Sequence, residues 1–136
     1  MINERSAGCV LFNEVTGKCL LLHYTTGHWD FPKGKIEKGE KDVDTVVREV
    51  EEETGITDIE FIDGFKETVK YFYRRDGQLV SKEVVFFLAK TNTENVRLSH
   101  EHIGFVWLTF DSAMQKTTYN NSKILLKKAE AFIKRK

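Results

Sequence analysis

"GKIEKGEKDVDTVVREVEEETGI", residues 34–56, decides how the rest of the chain is read. Its first half carries glycine and charge without an apolar period. Its second half turns helical, with Val43, Val46, Val47 and Val50 at i, i+3, i+4 and i+7. The spacing predicts a helix from about Asp42 to Thr54, with Asp42 as N-cap and Gly55 as the glycine that closes it. Valine is a mediocre helix former, so this helix depends on packing its stripe against a sheet.

The same helix gathers Glu49, Glu52 and Glu53 in one sector beside the valines, at the rim of the core. Like charges three and four residues apart destabilise a helix by roughly 0.2–0.5 kcal/mol per pair. Arg48 can pair with Glu52, but one guanidinium does not neutralise three carboxylates, whereas a divalent cation does. An all-oxygen donor set favours Mg2+ or Mn2+ over zinc. Mg2+ shares its coordination shell with substrate phosphates, so a phosphate-bearing substrate follows. The competing reading is a solvated acidic face. Against it stand the glycines and Lys33 and Lys35 just before the helix, which suit a phosphate–metal site better than a plain surface.

Working outward, "SAGCVLF" and "CLLLHY" read as a pair of strands around the turn-like "NEVTGK". Residues 25–41, "TTGHWDFPKGKIEKGEK", contain the sole proline, Pro32, and read as a long functional loop. "IEFIDGF" and "KETVKYFY" are strand-like, and Asp76-Gly77 marks a hairpin into "LVSKEVVFFLAK". "GFVWLTF" is a further strand, while "DSAMQK" and "SKILLKKAEAFIKRK" read as helices, the second with Ile124, Leu125, Lys128, Ala129 and Phe132 near one side. The order is that of a mixed α/β domain with a sheet packed between helices.

At 136 residues the chain reads as one domain, 1–136, large enough for a core without disulfides. Lysine plus arginine equal aspartate plus glutamate, 21 each, which argues against general binding to nucleic acid or anionic membrane. No apolar run is long enough to span a bilayer, and no signal-peptide pattern precedes the first strand. Cys9 and Cys19 lie in apolar runs and read as buried thiols, which favours a reducing cytoplasm over a cross-strand disulfide.

Residues 34–56 resemble the Nudix box, G-x5-E-x7-R-E-U-x-E-E-x-G-U with U aliphatic, at Gly34, Glu40, Arg48, Glu49, Val50, Glu52, Glu53, Gly55 and Ile56. The resemblance implies an α/β/α sandwich around a mixed sheet and Mg2+-dependent attack of water on a phosphoanhydride. It implies that Glu49, Glu52 and Glu53 are metal ligands, with Glu52 and Glu53 central to catalysis, that Arg48 serves catalysis by orienting a glutamate, that Gly34 and Gly55 shape the loop–helix–loop, and that Glu40 is a peripheral ligand or a structural acid.

Beyond the box, "HWDFPKGKIEKGE", "RLSHEH" and the strands around Tyr71 and Lys82 resemble the asymmetrical diadenosine tetraphosphate hydrolases. That likeness implies Glu101 as a further ligand or general base, His28, Lys33, Tyr71 and Lys82 as polyphosphate contacts, and Tyr119 as a platform for adenine. Trp29 is either a second base platform or a core plug. Alternation on an extended segment puts His100 and His102 on one side and Glu101 on the other, as hydrogen-bonded framework or a zinc pair. Asp30 and Phe31 depart from the Thr and Pro of animal relatives, and His23-Tyr24 stands where an aromatic is expected. These departures touch the adenine end only. A different Nudix substrate, such as an RNA 5′-triphosphate or a damaged nucleoside triphosphate, is the alternative. RNA would need Lys66, Lys70, Arg74, Arg75 and Lys82 as a local basic surface. A nucleotide sensor without catalysis is the other alternative.

Overall fold

A computed structural model describes residues 1–135. In chain order it comprises β1 (Ile2–Asn13), β2 (Cys19–Tyr24), β3 (Trp29–Asp30), β4 (Lys33–Lys35), α1 (Asp42–Thr54), β5 (Glu60–Arg75), β6 (Gln78–Thr91), β7 (His102–Leu108), α2 (Phe110–Lys116) and α3 (Asn120–Lys134). The strands form one sheet in the order β3-β2-β1-β6-β5, with β4 also paired to β1 and β7 to β2. β1 and β6 run parallel from Ile2↔Val80 to Asn13↔Thr91, while the other pairings are antiparallel, so the sheet is mixed.

The apolar runs of β1 and β2 have no polar alternation because both faces of the sheet are covered. Val10 and Leu21 face α2 and α3, where they meet Phe110, Leu125, Leu126 and Ala129. Cys9, Leu11, Leu20 and Leu22 face α1 and meet Val46, Val50 and Ile56. Each such side chain contributes roughly 1.5–3 kcal/mol by leaving water. The architecture is the α/β/α sandwich expected.

Several local expectations are revised. Lys41, extended and without a side-chain cap, precedes α1, and Asp42 is its first helical residue, with its carboxylate accepting the Val43 N–H at 2.8 Å. Gly55 closes α1 at φ 77°, a left-handed conformation that suits glycine. The inward face of α1 comprises Thr45, Val46, Val50, Glu53 and Thr54, while Val47 is 42% exposed. The buried stripe is therefore rotated from the valines toward the acids, and Glu53 lies inside the core rather than at its rim. On α3, Leu126 takes the inward place expected of Ile124, and Lys128 reaches out to Glu67 at 2.7 Å.

The loop of residues 25–41 contains β3 and β4, which are too short to show a period. "IEFIDGF" and "KETVKYFY" are one strand, β5, broken in register between Phe61 and Lys66. Asp76 (φ 51°) and Gly77 (φ 79°) form the hairpin turn with both central residues left-handed.

Candidate active site

Arg48 organises the outer end of the acidic cluster. Its guanidinium donates to both Glu40 oxygens (2.7 and 3.0 Å), to the Lys35 carbonyl (3.0 Å) and, through one nitrogen, to Glu49 and Glu52 (3.3 Å each). Glu40 also accepts from the Thr45 hydroxyl at 2.6 Å and the Glu37 N–H at 3.1 Å. The Arg48 hydrogen bond, then the Thr45 one, hold its carboxyl down at about 2. With its oxygens fully engaged, Glu40 fits the structural acid of the two roles expected.

Glu49 and Glu53 lie deeper. The carboxyl groups of Glu49 and Glu53 share a hydrogen bond. Glu53 is 4% exposed, accepts the Lys33 backbone N–H, and has one oxygen with no hydrogen-bond partner. Burial, then the charges of Glu49 and Glu101, push its carboxyl up to about 9. Burial also raises Glu49, against the pull of Arg48. Glu52 is open, its side chain 57% exposed. Gly34 makes room for this cluster: a Cβ there would fall 1.9–2.3 Å from the Glu49 carboxyl atoms.

A buried carboxylate with an orphaned oxygen, beside further carboxylates that raise its proton affinity, is chemically matched to a hard divalent cation. Among the described residues no three His, Cys, Asp or Glu side chains are placed so as to hold a metal ion between them. An ion such as Mg2+ bound here would complete its shell with water and phosphate. Glu49, Glu52, Glu53 and Glu101 are the residues that could hold it.

Glu101 sits in the turn before β7, where its backbone carbonyl accepts the Thr25 N–H at 3.1 Å. That turn breaks the expected alternation. His100 is exposed, whereas His102 is buried, with Nδ1 3.0 Å from the Ser99 hydroxyl and Nε2 3.7 Å from Glu53. Burial lowers the His102 imidazole and raises the Glu53 carboxyl, which disfavours the charged form of each. The two histidines are not side by side as a pair, and the Ser99 contact fits a framework role for His102.

Beside the acid cluster lies a cleft of about 520 Å³. All five expected polyphosphate and base contacts, His28, Lys33, Tyr71, Lys82 and Tyr119, line it, over a floor of Val69, Val84 and Phe86. Tyr71 and Lys82 are cross-strand partners on β5 and β6. Burial alone would draw the Lys33 ammonium down, but the Asp30 carboxylate, 3.0 Å away, outweighs it and holds it above its usual range. Among the described residues no carboxylate pairs directly with Lys82; burial, then the charge of Lys33, lower it against the pull of Glu4. His28 stacks on Tyr24 at 4.5 Å and takes a 2.9 Å hydrogen bond at Nδ1 with Thr26. Tyr119, 50% exposed, stands 5.5 Å from His28.

The remaining sequence candidates fall elsewhere. Trp29 does not line the cleft; its ring stacks on His23 at 4.3 Å and carries the Lys116 ammonium at 4.5 Å. Phe31 is fully buried against Phe86. The basic hairpin residues are largely satisfied within the fold: Lys66 pairs with Asp42, Lys70 with Glu83 and Arg75 with Glu4, while Arg74 donates to the Gly77 carbonyl. Cys9 and Cys19 are buried free thiols, both raised by burial. Asp30, Asn121 and Ser122 also line the cleft. Sequence reasoning gave them no site role, and only Asp30 left a signal, as a departure from relatives.

The three-residue strand β4 joins the two regions. Lys33 projects into the cleft while its N–H meets Glu53, and Gly34 lies under Glu49. The cleft and the carboxylates therefore adjoin each other across β4.

This arrangement of mixed sheet, acidic helix and lysine-lined cleft has a family. The profile of the NUDIX domain matches residues 2–129, and the chain belongs to that family. It is 33% identical to the mouse (Mus musculus) asymmetrical bis(5'-nucleosyl)-tetraphosphatase, over 95% of both chains. It is 35% identical to the Caenorhabditis elegans protein of that description, over 95% of this chain and 96% of the other. Its fold is similar to the crystal structure of a C. elegans Ap4A hydrolase binary complex, with a TM-score of 0.85 at 32% identity, covering 98% of this chain and 99% of that one.

Proposed function

We propose that this Nudix hydrolase cleaves diadenosine tetraphosphate asymmetrically to ATP and AMP, with Mg2+ (or Mn2+) as its metal. The observation that carries the reading is the continuity across β4, where a cationic, aromatic-flanked cleft opens onto the acid helix. Lys33 and Lys82 supply point charges to the phosphates, and Tyr71 and His28 supply single hydrogen bonds. Tyr119 offers a flat face to one adenine.

Glu49, Glu52, Glu53 and Glu101 would hold the metal, which when bound screens phosphate charge and sharpens water as a nucleophile. Arg48 ties Glu49 and Glu52 to each other and to Glu40. Water adds to the phosphorus nearest one adenosine, the bridging P–O bond breaks, and ATP departs with the bond's electron pair. A glutamate of the cluster accepts the water's proton.

Two features weigh against an RNA 5′ end as substrate: the net charge of zero and the internally paired hairpin basics. A sensor without catalysis would not need the full set Glu49, Glu52 and Glu53. Free nucleotide as substrate, together with two reduced buried thiols, fits the cytoplasm. Among the described residues no helix is long and apolar enough to cross a membrane.

The test is competition. The protein is incubated with Mg2+ and equimolar diadenosine tetraphosphate, ADP-ribose, an oxidised guanosine triphosphate and a 5′-triphosphorylated RNA, and the products are separated by chromatography. Rapid, equal ATP and AMP with the other three nearly untouched is the expected result. Preferential loss of another substrate would overturn the substrate assignment.

A further inference from the structure

Asp30 is 2% exposed yet lines the cleft, and its two oxygens reach in different directions. Oδ2 accepts from the Lys33 ammonium at 3.0 Å. Oδ1 accepts from the Phe31 N–H at 2.9 Å and from the hydroxyl of Ser122, in the first turn of α3, at 3.0 Å. Tyr119 immediately precedes that turn. The neighbouring residue reinforces the link: the Trp29 N–H donates to the Thr118 hydroxyl at 2.9 Å, and the Trp29 carbonyl accepts from the Thr117 hydroxyl at 3.1 Å. Strand β3, two residues long, thus clamps the start of α3 although some ninety positions separate them in sequence.

We propose that Asp30 is a positioning residue that sets the spacing between the phosphate cation Lys33 and the base platform Tyr119. The inference rests on the substrate reading above. Through one carboxylate Asp30 bonds both the Lys33 ammonium and the first turn of α3, which Tyr119 precedes. Among the described residues, this flexible four-carbon lysine beside a second ammonium, Lys82, has Asp30 as its one direct ion-pair partner. The consequence concerns recognition. A ligand with both a base and a phosphate chain needs the fixed spacing, whereas a phosphate chain alone does not.

Charge alone makes the opposite prediction, and that makes the idea testable. Removing an anion from the cleft should help any polyphosphate, with or without a base. Calorimetric affinities in Mg2+ for a non-hydrolysable, methylene-bridged diadenosine tetraphosphate and for inorganic tripolyphosphate give a ratio for each protein. Because both ligands meet the same folded fraction, partial unfolding of a variant cancels.

For Asp30→Asn the ratio should fall about tenfold. For Ser122→Ala, which leaves every cleft charge in place and Oδ1 still bonded to Phe31, it should fall about three- to fivefold. A ratio unchanged in either variant overturns the proposal, and if Asp30→Asn does not fold, Ser122→Ala decides. A wild-type ratio near one, by contrast, removes the base subsite itself and sinks the substrate reading together with the proposal.

Discussion

Replacing Glu53 with Gln should make the metal-free protein more stable while abolishing its chemistry. The folded state raises this carboxyl from its ordinary 4.5 to about 9, first through burial and then through the charge of Glu49. Between those two values the unfolded chain has released a proton that the folded chain still holds. Folding is then increasingly opposed as pH rises, at about 1.36 kcal/mol per pH unit above 4.5. The cost is under about 1 kcal/mol at pH 5 and about 3 kcal/mol at pH 7, and it levels off above the folded value.

Glutamine mimics the protonated acid and does not titrate. The gap in Tm between Glu53→Gln and wild type, in EDTA, should therefore widen by about 10 °C from pH 5 to pH 7, at about 4 °C per kcal/mol for a domain of this size. Adding Mg2+ at pH 7 should close most of that gap by stabilising the wild type alone. Scanning calorimetry at the two pH values, with and without Mg2+, measures all of this. A gap that is the same at both pH values would refute the reasoning, because Glu53 would then be ionised in the metal-free fold.

Three further outcomes follow from the same geometry. Gly34→Ala places a methyl where the Glu49 carboxyl now sits; that flexible carboxyl shifts, the fold survives, and kcat falls about 100-fold, as measured by steady-state assay beside circular dichroism. Arg48→Ala frees Glu40, Glu49 and Glu52 from one another, so kcat should drop at least about tenfold and the Mg2+ concentration for half-maximal rate should rise. Tyr119→Ala removes a stacking face worth about 1–3 kcal/mol, which appears as a KM for diadenosine tetraphosphate at least fivefold higher with kcat nearly unchanged.

The acidic helix was legible because its residues repeat at helical spacing and its acid–arginine pattern is dense. Even so, the valine stripe misplaced the inward face. Glu53 is buried because β4 supplies an N–H to its carboxylate and Glu49 a second contact, and neither is visible in the period of the helix itself. Strands β3 and β4 escaped detection because two or three residues carry no alternation, although β4 joins cleft and acids. The turn at 99–101 likewise defeated the assumption of an extended segment, and so separated His100 from His102.

The five cleft residues were placed by likeness of sequence and not by pattern. They come from the segment after β2, from β4, β5 and β6, and from the start of α3, and only the folded sheet brings these together. Asp30 was visible only as a departure. Its partner Ser122 is 92 positions away, beyond what local chemistry can pair.

The most direct measurement is hydrolysis of diadenosine tetraphosphate in ¹⁸O-enriched water with Mg2+, read by mass spectrometry of the nucleotides. The account predicts one AMP and one ATP per dinucleotide, with the heavy oxygen in AMP, where water joins the phosphorus nearest an adenosine. Two ADP per dinucleotide, label in ATP, or no turnover would contradict it.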